Sequence, residues 1–196
     1  MKKGKFIVIS GPSGVGKGTI CEVLLKELNA WYSVSMTTRK MREGEIDGVN
    51  YYFTNKEEFE NRIENEQFLE YNIYNGNYYG TPKKAIEEMI DSGKTVVLKI
   101  EVEGAGNVRK IYPDAISVFI MPPSLSELSR RLKNRGTETE EDINRRLKIA
   151  ETEMERAKEY KYIVINDDVK TCVDDISAIL RAEFLKYDNM KNKINE

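Results

Sequence analysis

Nine residues constrain this chain more than any others: "GPSGVGKGT", Gly11 to Thr19, entered directly from the apolar run "KFIVIS". Its glycines let backbone N–H groups converge on one point, and a helix starting there adds the positive end of its dipole. Gly11, Gly16 and Lys17 fit the phosphate-loop pattern through its lysine, in the setting of strand before and helix after that the pattern needs. A turn that merely reverses the chain has no need of that setting. We therefore read Gly11, Pro12, Ser13, Gly14, Val15, Gly16, Lys17, Gly18 and Thr19 as a cradle for nucleotide phosphates, with Lys17 as a point charge at the outer ones. One position departs from the strict pattern. Gly18 follows the lysine, so the hydroxyl that could meet a magnesium ion falls one place later, on Thr19. The loop alone leaves the second substrate open.

Strand-like runs recur at "KFIVIS" (5–10), "TVVLKI" (95–100), "AISVFIM" (115–121) and "YIVIN" (162–166), each nearly continuously apolar, as strands covered on both faces should be. Helical patterns fall between them. Ile20, Leu24 and Leu28 repeat every four residues; "TPKKAIEEMIDSG" has Pro82 near its start and Gly93 at its end; "SLSELSRRL" opens with Ser124 and Glu127 in capping-box spacing. This alternation predicts an α/β fold with a parallel sheet covered by helices on both faces. Ligands of such sheets bind beyond the carboxyl ends of the strands, where the loop lies.

Two segments interrupt the alternation. Residues 31–80 hold eleven of the eighteen aromatics, with strand-like pieces "GVNYYFT" and "EYNIYNGNYYG", and read as an inserted lobe. Residues 124–160 read as two charged helical stretches joined by "NRGTETEED", a second insertion. A length of 196 residues predicts one compact unit carrying both. The two cysteines, Cys21 and Cys172, are far apart and in no CxxC arrangement, which argues against a disulfide framework and a zinc site. No apolar stretch approaches the ~20 residues that span a bilayer, so we expect a cytoplasmic protein without membrane partners.

Charge and composition narrow the chemistry. Thirty-one basic against thirty-three acidic residues, a net charge of -2, is not the balance of a protein that grips long nucleic acid by its backbone. The absence of histidine excludes an imidazole base and a histidine-bound metal. Five of the eleven arginines fall between Arg130 and Arg146, and Arg39 and Arg42 sit three apart in a predicted loop. What remains is chemistry by positioning and electrostatics.

"SVSMTTRKMREGEIDGVNYYF", "FLEYNIYNGNYYGTP" and "RGTETEEDINRRL", in that order behind the phosphate loop, closely resemble guanylate kinase of the bacterial type, from the loop to about Asp167. The resemblance implies a P-loop NTPase fold: a core of residues 1–33, 82–124 and 161–190, a small inserted GMP-binding lobe at about 34–81 and a helical lid at about 125–160. It implies that the dianionic phosphate of GMP is held at Arg39, Arg42, Tyr51 and Tyr79, whose forked guanidinium and phenol donors suit phosphate oxygens. Guanine offers N1–H and N2–H2 donors and an O6 acceptor, and the family's carboxylates and hydroxyls for these match Glu70, Glu101, Ser35 and Thr81. Such a site rejects the wrong base because mismatched buried polar groups are left unpaired. Tyr52 and Tyr78, the alternate neighbours, are assigned to packing. Arg131, Arg135 and Arg146 match the lid arginines, which surround the charge of the transferring phosphoryl group, as Arg39 does from the lobe, while the lid excludes water. Asn166 and Asp167 match an "NDD" turn near the donor adenine.

Two positions differ from the family's habit. Lys99 stands where an acid is common, and Glu103 where glutamine is. An acid at 99 would help order magnesium-bound water; the lysine changes that outer shell and leaves Glu101 for the base. The resemblance implies transfer of the γ-phosphoryl group of ATP to GMP, giving ADP and GDP, with Mg2+ bridging the donor phosphates and lobe and lid closing on the substrates. No general base is needed, since the acceptor phosphate oxygen is already ionised. Two rivals differ in residues. A kinase for another monophosphate such as AMP would keep a "GKGT" loop, as adenylate kinases do, but lack the Glu70, Ser35 and Thr81 set. A non-catalytic guanylate-kinase-like module that binds phosphopeptides would lose Lys17 or the lid arginines.

Overall fold

The computed structural model describes residues 4–74, 76–134, 139–187 and 189–190. In chain order its elements are β1 (Phe6–Ser10), α1 (Lys17–Leu28), β2 (Trp31–Ser33), β3 (Met36–Thr37), β4 (Tyr52–Phe53), α2 (Lys56–Glu64), β5 (Phe68–Tyr74), β6 (Asn77–Pro82) and α3 (Lys83–Asp91). Then come β7 (Val96–Lys99), α4 (Val102–Ile111), β8 (Ile116–Met121), α5 (Leu125–Lys133), α6 (Glu140–Glu155), a short 3-10 turn, β9 (Tyr162–Ile165) and α7 (Val169–Phe184). The described residues fall into two compact units that divide within β1.

The first unit takes the chain up to Val8 and then Asn29–Ala115. Its strand order is β2-β7-β1, with β2 parallel to β7 in the register Trp31 to Val96 and Ser33 to Leu98. Val96, Val97 and Leu98 are fully buried, as a doubly covered strand requires. A second sheet runs β4-β3-β6-β5. Here "EYNIYNGNYYG" becomes the antiparallel β5–β6 hairpin, and Gly76 supplies the positive φ of 76° at its turn. Phe59 of α2 is fully buried and stacks on Phe68 at 4.4 Å between ring centroids. Gly80 fits beneath that pair, where a Cβ would come within 2.8 Å of both rings. Asn55 caps α2, its side chain accepting from the Glu58 N–H at 2.8 Å.

The second unit begins at Ile9, runs through α1, and resumes at Ile116. Its order is β1-β8-β9, with β8 and β9 parallel from Val118 opposite Tyr162 to Met121 opposite Ile165. Helices α1 and α7 pack together, burying Ile20 and Leu24 from one and Val173, Ile176 and Leu180 from the other. Leu128, Leu132, Ile143 and Ala150 form a separate core between α5 and α6, with Leu147 against it. Ser124 caps α5 by accepting from the Glu127 N–H, as the sequence spacing predicts. Cys21 and Cys172 are buried and form no disulfide, and burial pushes the Cys172 thiol up to about 12. Among the described residues no helix is long and apolar enough to cross a membrane.

Candidate active site

The phosphate loop leaves β1 at Ser10 and ends where Lys17 opens α1, so its N–H groups and the helix N-terminus converge. Two of its glycines have no substitute. Gly11, at φ 148°, would place a Cβ 2.3 Å from the Ile120 carbonyl oxygen, and Gly16, at φ 99°, would place one 2.5 Å from Asn166 Nδ2. Lys17 is 9 % exposed, and its Nζ donates to the carbonyls of Gly11 at 2.5 Å and Pro12 at 3.2 Å. Pro12 and Val15 are buried, Ser13, Gly14 and Gly18 are half-buried, and Thr19 is exposed in the first turn of α1. Asn166 is 3 % exposed and its Nδ2 donates to the Val15 carbonyl at 2.7 Å, so this side chain braces the loop from the end of β9. Asp167 beside it is exposed. No group of three His, Cys, Asp or Glu side chains that could hold a metal occurs among the described residues. The Thr19 hydroxyl, which the sequence offers to magnesium, belongs to an exposed residue, and that ion needs few protein ligands when phosphates supply the rest.

On α5, Arg131 Nε donates to Glu127 Oε1 at 2.7 Å, and the same carboxylate takes a two-pronged grip from Arg130 at 2.7 and 2.8 Å. Arg130 first and Arg131 second pull the Glu127 carboxyl down to about 2. Arg146 is half-buried on α6, and Arg135 lies outside the described residues. Glu127, which the sequence marks only as a capping residue, also orients Arg131.

The first unit gathers the remaining set. Arg39 lies 5.4 Å from the Tyr51 ring centroid, and the rings of Tyr51 and Tyr79 meet edge-on at 5.9 Å. Thr37 places Arg39, its Oγ1 donating to the Tyr78 carbonyl at 2.9 Å and accepting from the Arg39 N–H at 3.1 Å. Glu45 grips the Arg39 guanidinium at 2.7 and 3.0 Å and accepts from the Arg42 N–H at 2.7 Å, which holds its carboxyl below the usual range. Arg42 is exposed. Sequence reasoning missed Thr37 and Glu45; the "REGE" run, with its acid six residues past Arg39, was the signal available. Tyr78 donates to Glu60 at 3.0 Å and packs on Phe59, while Tyr52 is 43 % exposed.

Glu70 is 7 % exposed on β5 and its Oε1 accepts from Thr81 Oγ1 of β6 at 2.6 Å, Thr81 being fully buried. Burial pushes this carboxyl up to about 7, against the opposing effect of the Thr81 hydrogen bond. Ser35 and Glu101 are half-buried, Glu101 at the N-cap of α4. Lys99, at the end of β7, sits 5.7 Å from the Tyr32 ring centroid, and its charge opposes the burial that raises the Tyr51 phenol.

Comparison with known proteins identifies the family of the chain as a whole. A family model described as guanylate kinase matches residues 3–183. A guanylate kinase of Halalkalibacterium halodurans is 52 % identical over 196 residues, covering 100 % of this chain and 96 % of that protein. One of Clostridium tetani is 51 % identical over 194 residues, 99 % of this chain and 93 % of that protein. The crystal structure of guanylate kinase from Anaplasma phagocytophilum superposes with a TM-score of 0.80 at 37 % identity, over 94 % of this chain and 88 % of that one. With a family match along nearly its whole length, the chain belongs to the guanylate kinases, nucleoside monophosphate kinases of the P-loop fold.

Proposed function

We propose that this chain transfers the γ-phosphoryl group of ATP to GMP, giving ADP and GDP, in the cytoplasm and without a nucleic-acid or membrane partner. The observation that carries the reading is the buried Glu70–Thr81 pair in the same unit as Arg39, Tyr51 and Tyr79. A buried carboxylate held by a threonine hydroxyl, beside cations and phenols suited to a phosphate, fits a receptor for a guanine monophosphate. Residues 34–81 act as the GMP lobe and 125–160 as the lid.

On the donor side, loop N–H groups and Lys17 hold the phosphates, and Lys17 follows the charge as it moves to the outer oxygens. Arg131, Arg135 and Arg146 stabilise the charge spread over the transferring group, and Arg39 does so from the acceptor side. Mg2+, held by the donor phosphates and Thr19, would supply further charge neutralisation between them. The acceptor oxygen of GMP is already anionic, so orientation and exclusion of water are the chain's remaining tasks.

The test is ADP release with ATP and Mg2+ against GMP, AMP, CMP and UMP, with Lys17→Ala as control. Turnover confined to GMP and lost in Lys17→Ala is expected. Turnover with AMP would overturn the base assignment, and GMP binding without turnover would make the chain a binding module.

A further inference from the structure

Gly104 lies in the first turn of α4, a buried helical position where alanine would give the stronger helix. Its φ is not positive, so backbone conformation does not account for it. Its surroundings do. A Cβ there would lie 2.8 Å from Glu70 Oε2, 2.6 Å from Ile100 Cδ1 and 2.9 Å from Ile100 Cγ1. The end of the Ile100 side chain can rotate away. The Glu70 carboxylate is less free, because its other oxygen accepts from Thr81 at 2.6 Å inside a buried site.

We infer that Gly104 is a positioning residue for guanine recognition: its missing side chain leaves the room in which the Glu70 carboxylate stands bonded to Thr81. The inference rests on the reading of Glu70 as the base-pairing group. Glu70 also borders a cleft of about 320 Å³ shared with Asn107 and Lys110 of α4. A new Cβ would press on the carboxylate at the position it holds against Thr81, so Gly104→Ala is expected to carry a displaced guanine site.

The experiment measures steady-state constants and melting temperature for wild type, Gly104→Ala, Glu70→Gln, Glu70→Asp, the double variant Gly104→Ala with Glu70→Asp, and Gly104→Ala with Ile100→Ala. Gly104→Ala should raise KM for GMP by about tenfold or more, the loss expected when one hydrogen bond to a charged group is misplaced. KM for ATP and kcat at saturating GMP should change little. Glu70→Asp withdraws the carboxylate by one methylene, so in the double variant the two losses in kcat/KM for GMP should combine to clearly less than their product. Losses that multiply, or a GMP constant restored by Ile100→Ala, would overturn the inference. Glu70→Gln separates the two readings: if it leaves KM for GMP unchanged, the base assignment fails and the inference with it. If it raises KM while Gly104→Ala does not, only the positioning role fails. Should Gly104→Ala not fold, recovery of folding by Glu70→Asp supports the clash with the carboxylate, and no recovery overturns it.

Discussion

Replacing Glu70 with glutamine should stabilise the free protein at alkaline pH and leave it much less changed at acid pH. The Glu70 carboxyl rises from an ordinary value of 4.5 to about 7, chiefly because burial disfavours the charge. Below pH 4.5 it is protonated in both the folded and unfolded chain and contributes no pH dependence. Between 4.5 and about 7 the folded chain keeps a proton that the unfolded chain has released, so stability falls as pH rises through that window. Above 7 the loss is complete. At about 1.4 kcal/mol per pH unit, the rise corresponds to about 3 kcal/mol. Glutamine keeps the shape and a partner for Thr81 and removes the titration. The assay is urea unfolding of both proteins without nucleotide at pH 5 and pH 8. The stability difference, variant minus wild type, should move in favour of the variant by about 2–3 kcal/mol between those two pH values. A difference that stays flat between them would refute the claim that this carboxylate is held against its preference for water.

Further outcomes follow from other contacts. Asn166→Ala removes the bond to the Val15 carbonyl and should cost about 1 kcal/mol of stability while raising KM for ATP and leaving KM for GMP near wild type, as steady-state kinetics would show. Glu45→Ala frees the Arg39 guanidinium from its two-pronged hold, and KM for GMP should rise roughly tenfold, equivalent to about 1.4 kcal/mol, with KM for ATP unaffected. Gly80→Ala drives a Cβ into the Phe59–Phe68 stack and should lower stability in urea by about 1–3 kcal/mol.

The sequence made the glycine-rich loop and the core strands legible because their signals are local. Gly11, Gly16 and Lys17 carry their meaning within nine residues, and the runs around Ile7, Val97 and Phe119 are apolar enough to read as covered strands. The acceptor side depends on pairings that no local pattern announces. β3 and β4 are two residues each, and "GVNYYFT" contributes only Tyr52 and Phe53 to a strand. Their pairing is set by the fold around them, including the bond from the Tyr52 N–H to the Ser35 carbonyl. α2 was hidden by its polar surface, though Asn55 three residues before Glu58 was a readable cap. Glu45 on Arg39 joins two loop positions that no periodicity links. Asn166 is expected by resemblance beside the donor base, and the brace its Nδ2 gives the Val15 carbonyl is a contact that no local pattern announces.

Glu70 and Gly104 break the rules of local structure in opposite ways, and each break accounts for the other. A carboxylate 7 % exposed destabilises the fold, and a glycine in a buried helical turn weakens the helix. Neither is needed to build β5 or α4, since a leucine and an alanine would serve the core better. Together they leave a carboxylate of fixed orientation, hydrogen-bonded on one side and given room by the glycine on the other, that an aqueous surface group could not maintain. A base that brings N1–H and N2–H2 donors to this site satisfies an acceptor that burial has stripped of water, and a base lacking them leaves it unsatisfied. On the proposed reading of Glu70, discrimination depends on keeping the free protein less stable than its sequence could make it, which is why the two destabilising residues should prove coupled rather than independent.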